Sequence, residues 1–243
     1  MANMKNFFAD KRYPGRFIIV GKDRGAAVVI YGATGRSPSS LRREFVEQGD
    51  GVYMTAVDAT VAIEGNPDLL EYPAVRIFEN GIVSANGNQI ERVDSLAFEG
   101  MNAKNYLANV LADETYEPDE HTTPRITGCV VLGPAEDAAL HIVRTDNGGI
   151  NRSAWSVPLQ DGSGSYIATY AGPDAKPTPS FVGEPLQVPL AFGSAEAAVR
   201  SVFDMLAPAP GTPDYRIGVV AAYVDGEGTP DIAIVNKLAR VSA

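Results

Sequence analysis

Apolar residues in this chain fall in short runs and not in the three-and-four spacing of amphipathic helices. FIIVG (Phe17 to Gly21), AAVVIY (Ala26 to Tyr31), VYMTAVDATVAI (Val52 to Ile63), AVRIF (Ala74 to Phe78), IVSA (Ile82 to Ala85), ITGCVVL (Ile126 to Leu132) and ALHIVRT (Ala139 to Thr145) predict strands. SAWSVPL, SYIATYA, YRIGVVAAYV and DIAIVN extend the series. Several of these runs are apolar at consecutive positions, which implies strands covered on both faces. Asn80-Gly81 and Asn86-Gly87 predict tight hairpins, because type I′ turns need positive φ at both central residues, so most strand connections are antiparallel.

Two segments have helical spacing. MNAKNYLANVLADE sets Tyr106 against Val110 and Leu107 against Leu111 behind Asn102 as N-cap. GSAEAAVRSVFDML places Val199, Val202, Phe203 and Leu206 on one face behind Ser194 as N-cap. Each lies between groups of strands, so two packed sheets with a helical layer outside each account for the doubly buried strands. Proline clusters at 172–190 and 207–213 predict loops or edge elements. No linker divides the chain, and residues 1–243 read as a single domain.

Composition narrows the function. The net charge of -10 argues against a general nucleic-acid binder, although the first 50 residues carry a net +4, a local patch suited to a small anion. No stretch approaches the roughly 20 apolar residues that span a bilayer, no apolar N-terminal run predicts a leader, and the single cysteine cannot form an internal disulfide. These features point to a reducing cytoplasm. Phosphate-loop, dinucleotide, zinc-protease and serine-hydrolase motifs are absent. His141 and Cys129 lie in apolar strands and read as core residues, so no metal site is expected.

Arginine, tyrosine, asparagine and carboxylate near turns remain. Arg16 follows Tyr13-Pro14-Gly15, Arg36 follows Gly35, and Arg42-Arg43 come soon after. Guanidinium forks match phosphate oxygens bidentately. Taken locally, these arginines read as solvated surface charges, while YEPDEHTTPRITG (Tyr116 to Gly128) fits a solvated connector as well as part of a site.

Six stretches in order resemble the archaeal-type IMP cyclohydrolases: YPGR (Tyr13 to Arg16), GRSP (Gly35 to Pro38) with Arg42 downstream, NP with YPAVRI (Asn66-Pro67, Tyr72 to Ile77), VSANG (Val83 to Gly87), GMN (Gly100 to Asn102) and YEPDEHTTPRI (Tyr116 to Ile126). The similarity is strong over residues 13–145 and weaker beyond. It implies an α+β, four-layer αββα sandwich of two mainly antiparallel sheets with outer helices, like that of N-terminal-nucleophile hydrolases. It also implies ring closure of 5-formamidoimidazole-4-carboxamide ribotide to inosine monophosphate in purine synthesis, with no cofactor, and a homo-oligomer, with a tetramer as one form. The resemblance carries catalytic roles onto Tyr72, Glu117 and Arg36. Arg16, Arg42, Asn86, Asn88 and Arg125 become candidates for substrate binding, with Asp119 to His121 as solvated filler. Two departures stand out: the chain is longer than compact family members, and Ser39-Ser40-Leu41 adds a residue before the arginine that follows GRSP. The strand that would bear an N-terminal nucleophile opens on Arg16, so that mechanism has no nucleophile. A regulatory binder of purine nucleotides without catalysis, and another amide hydrolase on the same scaffold, are the alternatives.

Overall fold

The computed structural model describes residues 4–58, 71–93 and 100–238. The end of the Val52 to Ile63 run and Asn66-Pro67 lie outside the described residues. Thirteen strands are described: β1 (Arg16–Asp23), β2 (Ala26–Thr34), β3 (Arg43–Gln48), β4 (Gly51–Ala56), β5 (Tyr72–Phe78), β6 (Gly81–Ala85), β7 (Arg125–Val131), β8 (Asp137–Asp146), β9 (Gly149–Ser156), β10 (Ser163–Ala168), β11 (Leu186–Pro189), β12 (Arg216–Val224) and β13 (Pro230–Asn236). They form a six-stranded sheet, β11–β10–β1–β2–β12–β13, and a seven-stranded sheet in chain order from β3 to β9. All neighbouring pairs are antiparallel.

The sheets pack face to face, with β1 and β2 against β6, β7 and β8, and β12 against β3. Gly128 marks a close approach: a Cβ there would sit 2.9 Å from Ile18 Cγ2 and 3.0 Å from Val20 Cγ2. The consecutive apolar residues of β1, β2 and β12 are almost wholly buried because a helical layer closes the other face. Four helices are described: α1 (Met4–Phe8), α2 (Pro38–Leu41), α3 (Ala103–Val110) and α4 (Ala195–Met205). The α4 helix covers β12 and β13, and α3 covers β7, β8 and β9. The α1 helix, which the apolar pattern did not predict, sets Phe8 against Phe17 and Tyr166 at centroid distances of 5.4 and 6.0 Å. The arrangement is the expected αββα sandwich. Asn102 and Ser194 cap α3 and α4, accepting from Asn105 N at 2.8 Å and Ala197 N at 3.2 Å. Among the described residues, no helix is long and apolar enough to cross a membrane.

The hairpin expectations need correction. The β5–β6 turn exists, but Phe78 pairs with Gly81, so its central residues are Glu79-Asn80 and not Asn80-Gly81. Asn86-Gly87 makes no hairpin; it leads into a 3₁₀ turn, Asn88–Arg92. Among the described residues, the turns with positive φ at both central residues are Arg24-Gly25 (52° and 81°) and Asn147-Gly148 (49° and 80°). The proline-rich segment supplies the edge strand β11.

Candidate active site

The site begins at the turn before β1. Gly15 has φ +72°, and a Cβ there would run into Thr169 Oγ1 and the Tyr170 ring. That bend delivers Arg16 to the end of its strand, where its backbone N–H donates to Thr169 Oγ1 at 3.1 Å. Arg16 Nη2 reaches both oxygens of Glu117 at 3.3 Å. Glu117 lies in the loop between α3 and β7, its backbone N–H donating to Thr123 O at 2.8 Å.

A polar bracket holds this carboxylate from behind. Asn86 Nδ2 donates to Glu117 Oε1 (2.8 Å) and to Pro124 O (2.9 Å), while Asn86 Oδ1 accepts from Ile126 N (2.7 Å) and Gln89 Nε2 (3.1 Å). Arg125 Nη1 donates to Gln89 Oε1 at 2.7 Å, and Arg125 Nε stands 3.4 Å from Glu114 Oε1. Gly87 leaves room for this pair: a Cβ there would lie 2.5 Å from Arg125 Nη1 and 2.8 Å from Gln89 Oε1.

In front of the pair opens a cavity of about 380 Å³, walled by Arg16, Arg36, Arg43, Glu117, Thr123 and Tyr170 among others. It shares Arg36, Ser37, Glu120 and His121 with a wider cleft of about 970 Å³. Arg36 lays its guanidinium over the Tyr13 ring, 4.2 Å from the centroid, and donates to Asp174 Oδ1 and Ala175 O at 3.2 Å and to Thr178 Oγ1. Arg43 is buried, with Nε donating to Ser40 O at 3.2 Å. Arg16 Nε is buried with no hydrogen-bond partner among the described residues.

The electrostatics follow from burial. Desolvation raises Glu117 above the ordinary carboxylate range, against the pull of Arg16 and Arg125. Burial works against the charge of Arg16, but the Glu117 carboxylate and the hydroxyls of Tyr72, Tyr31 and Tyr170 hold it well above its usual value. Burial lowers Arg43. The cavity therefore joins a fixed cation to a carboxylate with enhanced proton affinity.

Among the candidates from sequence, Arg16, Arg36 and Glu117 line one cavity, and Asn86 and Arg125 brace it from behind. Tyr72 is not on the cavity wall: it is buried, its hydroxyl 2.9 Å from that of Tyr31, within electrostatic range of Arg16 and Arg43. Arg42 caps α2, is exposed, pairs with Asp58 and does not reach the cavity. Asn88 opens the 3₁₀ turn. Asp119 is no filler, since it accepts from Thr123 N at 2.8 Å and Thr123 Oγ1 at 2.5 Å and lines the cavity. Sequence reasoning placed Arg43 only in the general group of arginines suited to phosphate, and it missed Tyr13, Tyr31, Thr123, Tyr170 and the Asp174–Thr178 rim. The rim and Tyr170 lie over 130 residues from Arg16 and Arg36 in the chain, and no local pattern marks them.

The sequence family described as "IMP cyclohydrolase-like protein" matches residues 13–227. The chain belongs to this family. The chain is 27% identical over 237 residues to the IMP cyclohydrolase of Haloarcula marismortui, covering 92% of this chain and 98% of that protein. It is 28% identical over 193 residues to the IMP cyclohydrolase of Methanothrix thermoacetophila, covering 79% and 86%. Against that of Thermococcus kodakarensis identity is 33% over 122 residues, covering 50% and 58%. Similarity to this family therefore reaches well past residue 145, through the segment that supplies Tyr170 and Asp174.

Proposed function

We propose that this protein closes the purine ring of 5-formamidoimidazole-4-carboxamide ribotide to give inosine monophosphate and water. The observation that carries the reading is the buried Arg16–Glu117 pair at a cavity whose rim bears a further guanidinium, Arg36, in a chain of the IMP cyclohydrolase-like family. A ribotide has a phosphate at one end and amides at the other; Arg36 stands where the cavity meets the cleft, and Glu117 lies within beside Arg16.

In the proposed reaction the carboxamide nitrogen attacks the formyl carbon, forming the new C–N bond, and its proton passes to Glu117. The formyl oxygen takes one proton as the carbinolamine forms and a second as its C–O bond breaks, while the formamido nitrogen gives up its own proton and forms the ring C=N bond, so the sum is loss of one water. Both reacting groups belong to one molecule, and freezing the reactive rotamer is worth about 7–11 kcal/mol in well-oriented intramolecular reactions. Arg16 and Arg43 supply N–H donors where charge develops on the formyl oxygen. Arg36 anchors the phosphate, while Asn86 and Arg125 position Glu117. Tyr72 acts through Arg16, since its hydroxyl is held by Tyr31 outside the cavity wall. The ribotide substrate and the single buried thiol suit a cytoplasmic enzyme.

The test is direct. Purified protein mixed with the formylated ribotide, without added metal or nucleotide, should raise ultraviolet absorbance as the purine forms. A flat trace with retained binding of inosine monophosphate would favour the regulatory binder, and a flat trace without binding would refute the ribotide reading.

A further inference from the structure

The hydroxyl of Tyr170 has a fixed polarity. Asp119 accepts at one carboxylate oxygen from the Thr123 backbone N–H and at the other from Thr123 Oγ1, at 2.8 and 2.5 Å. A threonine hydroxyl carries one proton, and here the carboxylate takes it. Thr123 Oγ1 also lies 2.7 Å from the Tyr170 hydroxyl, so at that contact it accepts and Tyr170 donates. Tyr170 therefore turns its proton toward Thr123, and toward the cavity it offers only oxygen lone pairs. All three residues line the cavity.

The position of Tyr170 selects which part of a ligand meets this acceptor. Its ring stacks on Tyr13 at 5.5 Å and 21°, and Arg36 covers the Tyr13 ring. Its hydroxyl partner Thr123 receives the backbone N–H of Glu117 through its carbonyl oxygen. Tyr170 thus stands between the arginine rim and the carboxylate. A phosphate has no proton to give to such a group at neutral pH. Resting on the ribotide reading, the amide N–H groups are directed to Glu117, and the donors left over are the ribose hydroxyls. We infer that the Tyr170 hydroxyl oxygen accepts a hydrogen bond from a ribose hydroxyl, which makes Tyr170 the residue that recognises the sugar of the ribotide.

The experiment measures dissociation constants by calorimetry for inosine monophosphate and its 2′-deoxy and 3′-deoxy analogues, on the wild-type chain and on Tyr170→Phe. The wild type should bind one of the two deoxy analogues about tenfold more weakly than inosine monophosphate, the size of one well-made hydrogen bond. Tyr170→Phe retains the ring that stacks on Tyr13; it should bind that deoxy analogue as the wild type does and should show no preference for the hydroxyl. Discrimination that survives in Tyr170→Phe, or is absent in the wild type, overturns the assignment. So does loss of all three ligands by the variant, which would make ring placement the determinant. A wild type that binds no nucleotide at all defeats the ribotide reading itself, an outcome separate from failed discrimination by a protein that binds.

Discussion

At the scale of single residues, Glu117 is the group whose chemistry depends most on its surroundings. As proton acceptor it must be ionised, and burial raises its pKa above the ordinary carboxylate range, so turnover should climb with pH through a limb above that range. Glu117→Gln should lower turnover at least 100-fold, abolish that limb and retain product binding; a variant with undiminished turnover would remove Glu117 from the chemistry. Arg16→Met withdraws the largest opposing charge and should move the limb to higher pH. The Tyr31–Tyr72 hydroxyl pair allows a sharper distinction. If Tyr72 acts through Arg16, Tyr31→Phe and Tyr72→Phe should each cost about tenfold in turnover and the double variant little more, because members of one hydrogen-bonded unit are non-additive. A far larger loss in Tyr72→Phe than in Tyr31→Phe would make Tyr72 a direct donor.

At the scale of elements, the turn before β1 couples backbone conformation to site geometry. Gly15→Ala forces a side chain into left-handed φ and against Thr169 and Tyr170, and should cost about 2–4 kcal/mol from strain plus overpacking. Gly25→Ala is the control: its φ is +81°, but the space around it is open, so it should lose only about 1–2 kcal/mol. Equal losses in chemical denaturation would show that contact with Tyr170 is not what demands Gly15. The strands, both main helices and their caps were readable because burial on two faces and capping leave local traces in the sequence. Turn identity was less so. At β5–β6 the register places Ile82 and Val83 in the core, and Asn80 O accepts from Leu132 N at 2.9 Å, so tertiary pairing and not the Asn-Gly dipeptide sets the turn. The candidate site was readable where its residues lie in short motifs, as Arg16 does in YPGR and Glu117 in YEPDEHTTPRI. Tyr170 and Asp174 reach it only through sheet topology.

At the scale of the whole molecule, the seven-stranded sheet carries a pH dependence of stability that is separate from the candidate site. His141 in β8 lies on the face of Ala139, which belongs to the apolar cluster under α3 with Ala103, Tyr106 and Leu107. It is buried, its Nδ1 has no hydrogen-bond partner among the described residues, and burial, with Arg152 adding to it, lowers its pKa from 6.5 to about 4. The folded-state value is therefore below the unfolded one. Between those values the unfolded chain binds a proton that the folded chain refuses, so the contribution of His141 to stability is present above pH 6.5 and is lost as pH falls toward 4. Linkage caps the loss at about 3 kcal/mol. His141→Leu keeps an apolar side chain against α3 and has no proton to bind, so its unfolding free energy should fall less than that of the wild type between pH 7 and pH 4.5. The difference should amount to about 2–3 kcal/mol in urea titrations. Parallel losses in the two proteins would mean that β8 opens to solvent readily enough for His141 to titrate as in the unfolded chain, and that the αββα stack is looser at this strand than its burial indicates.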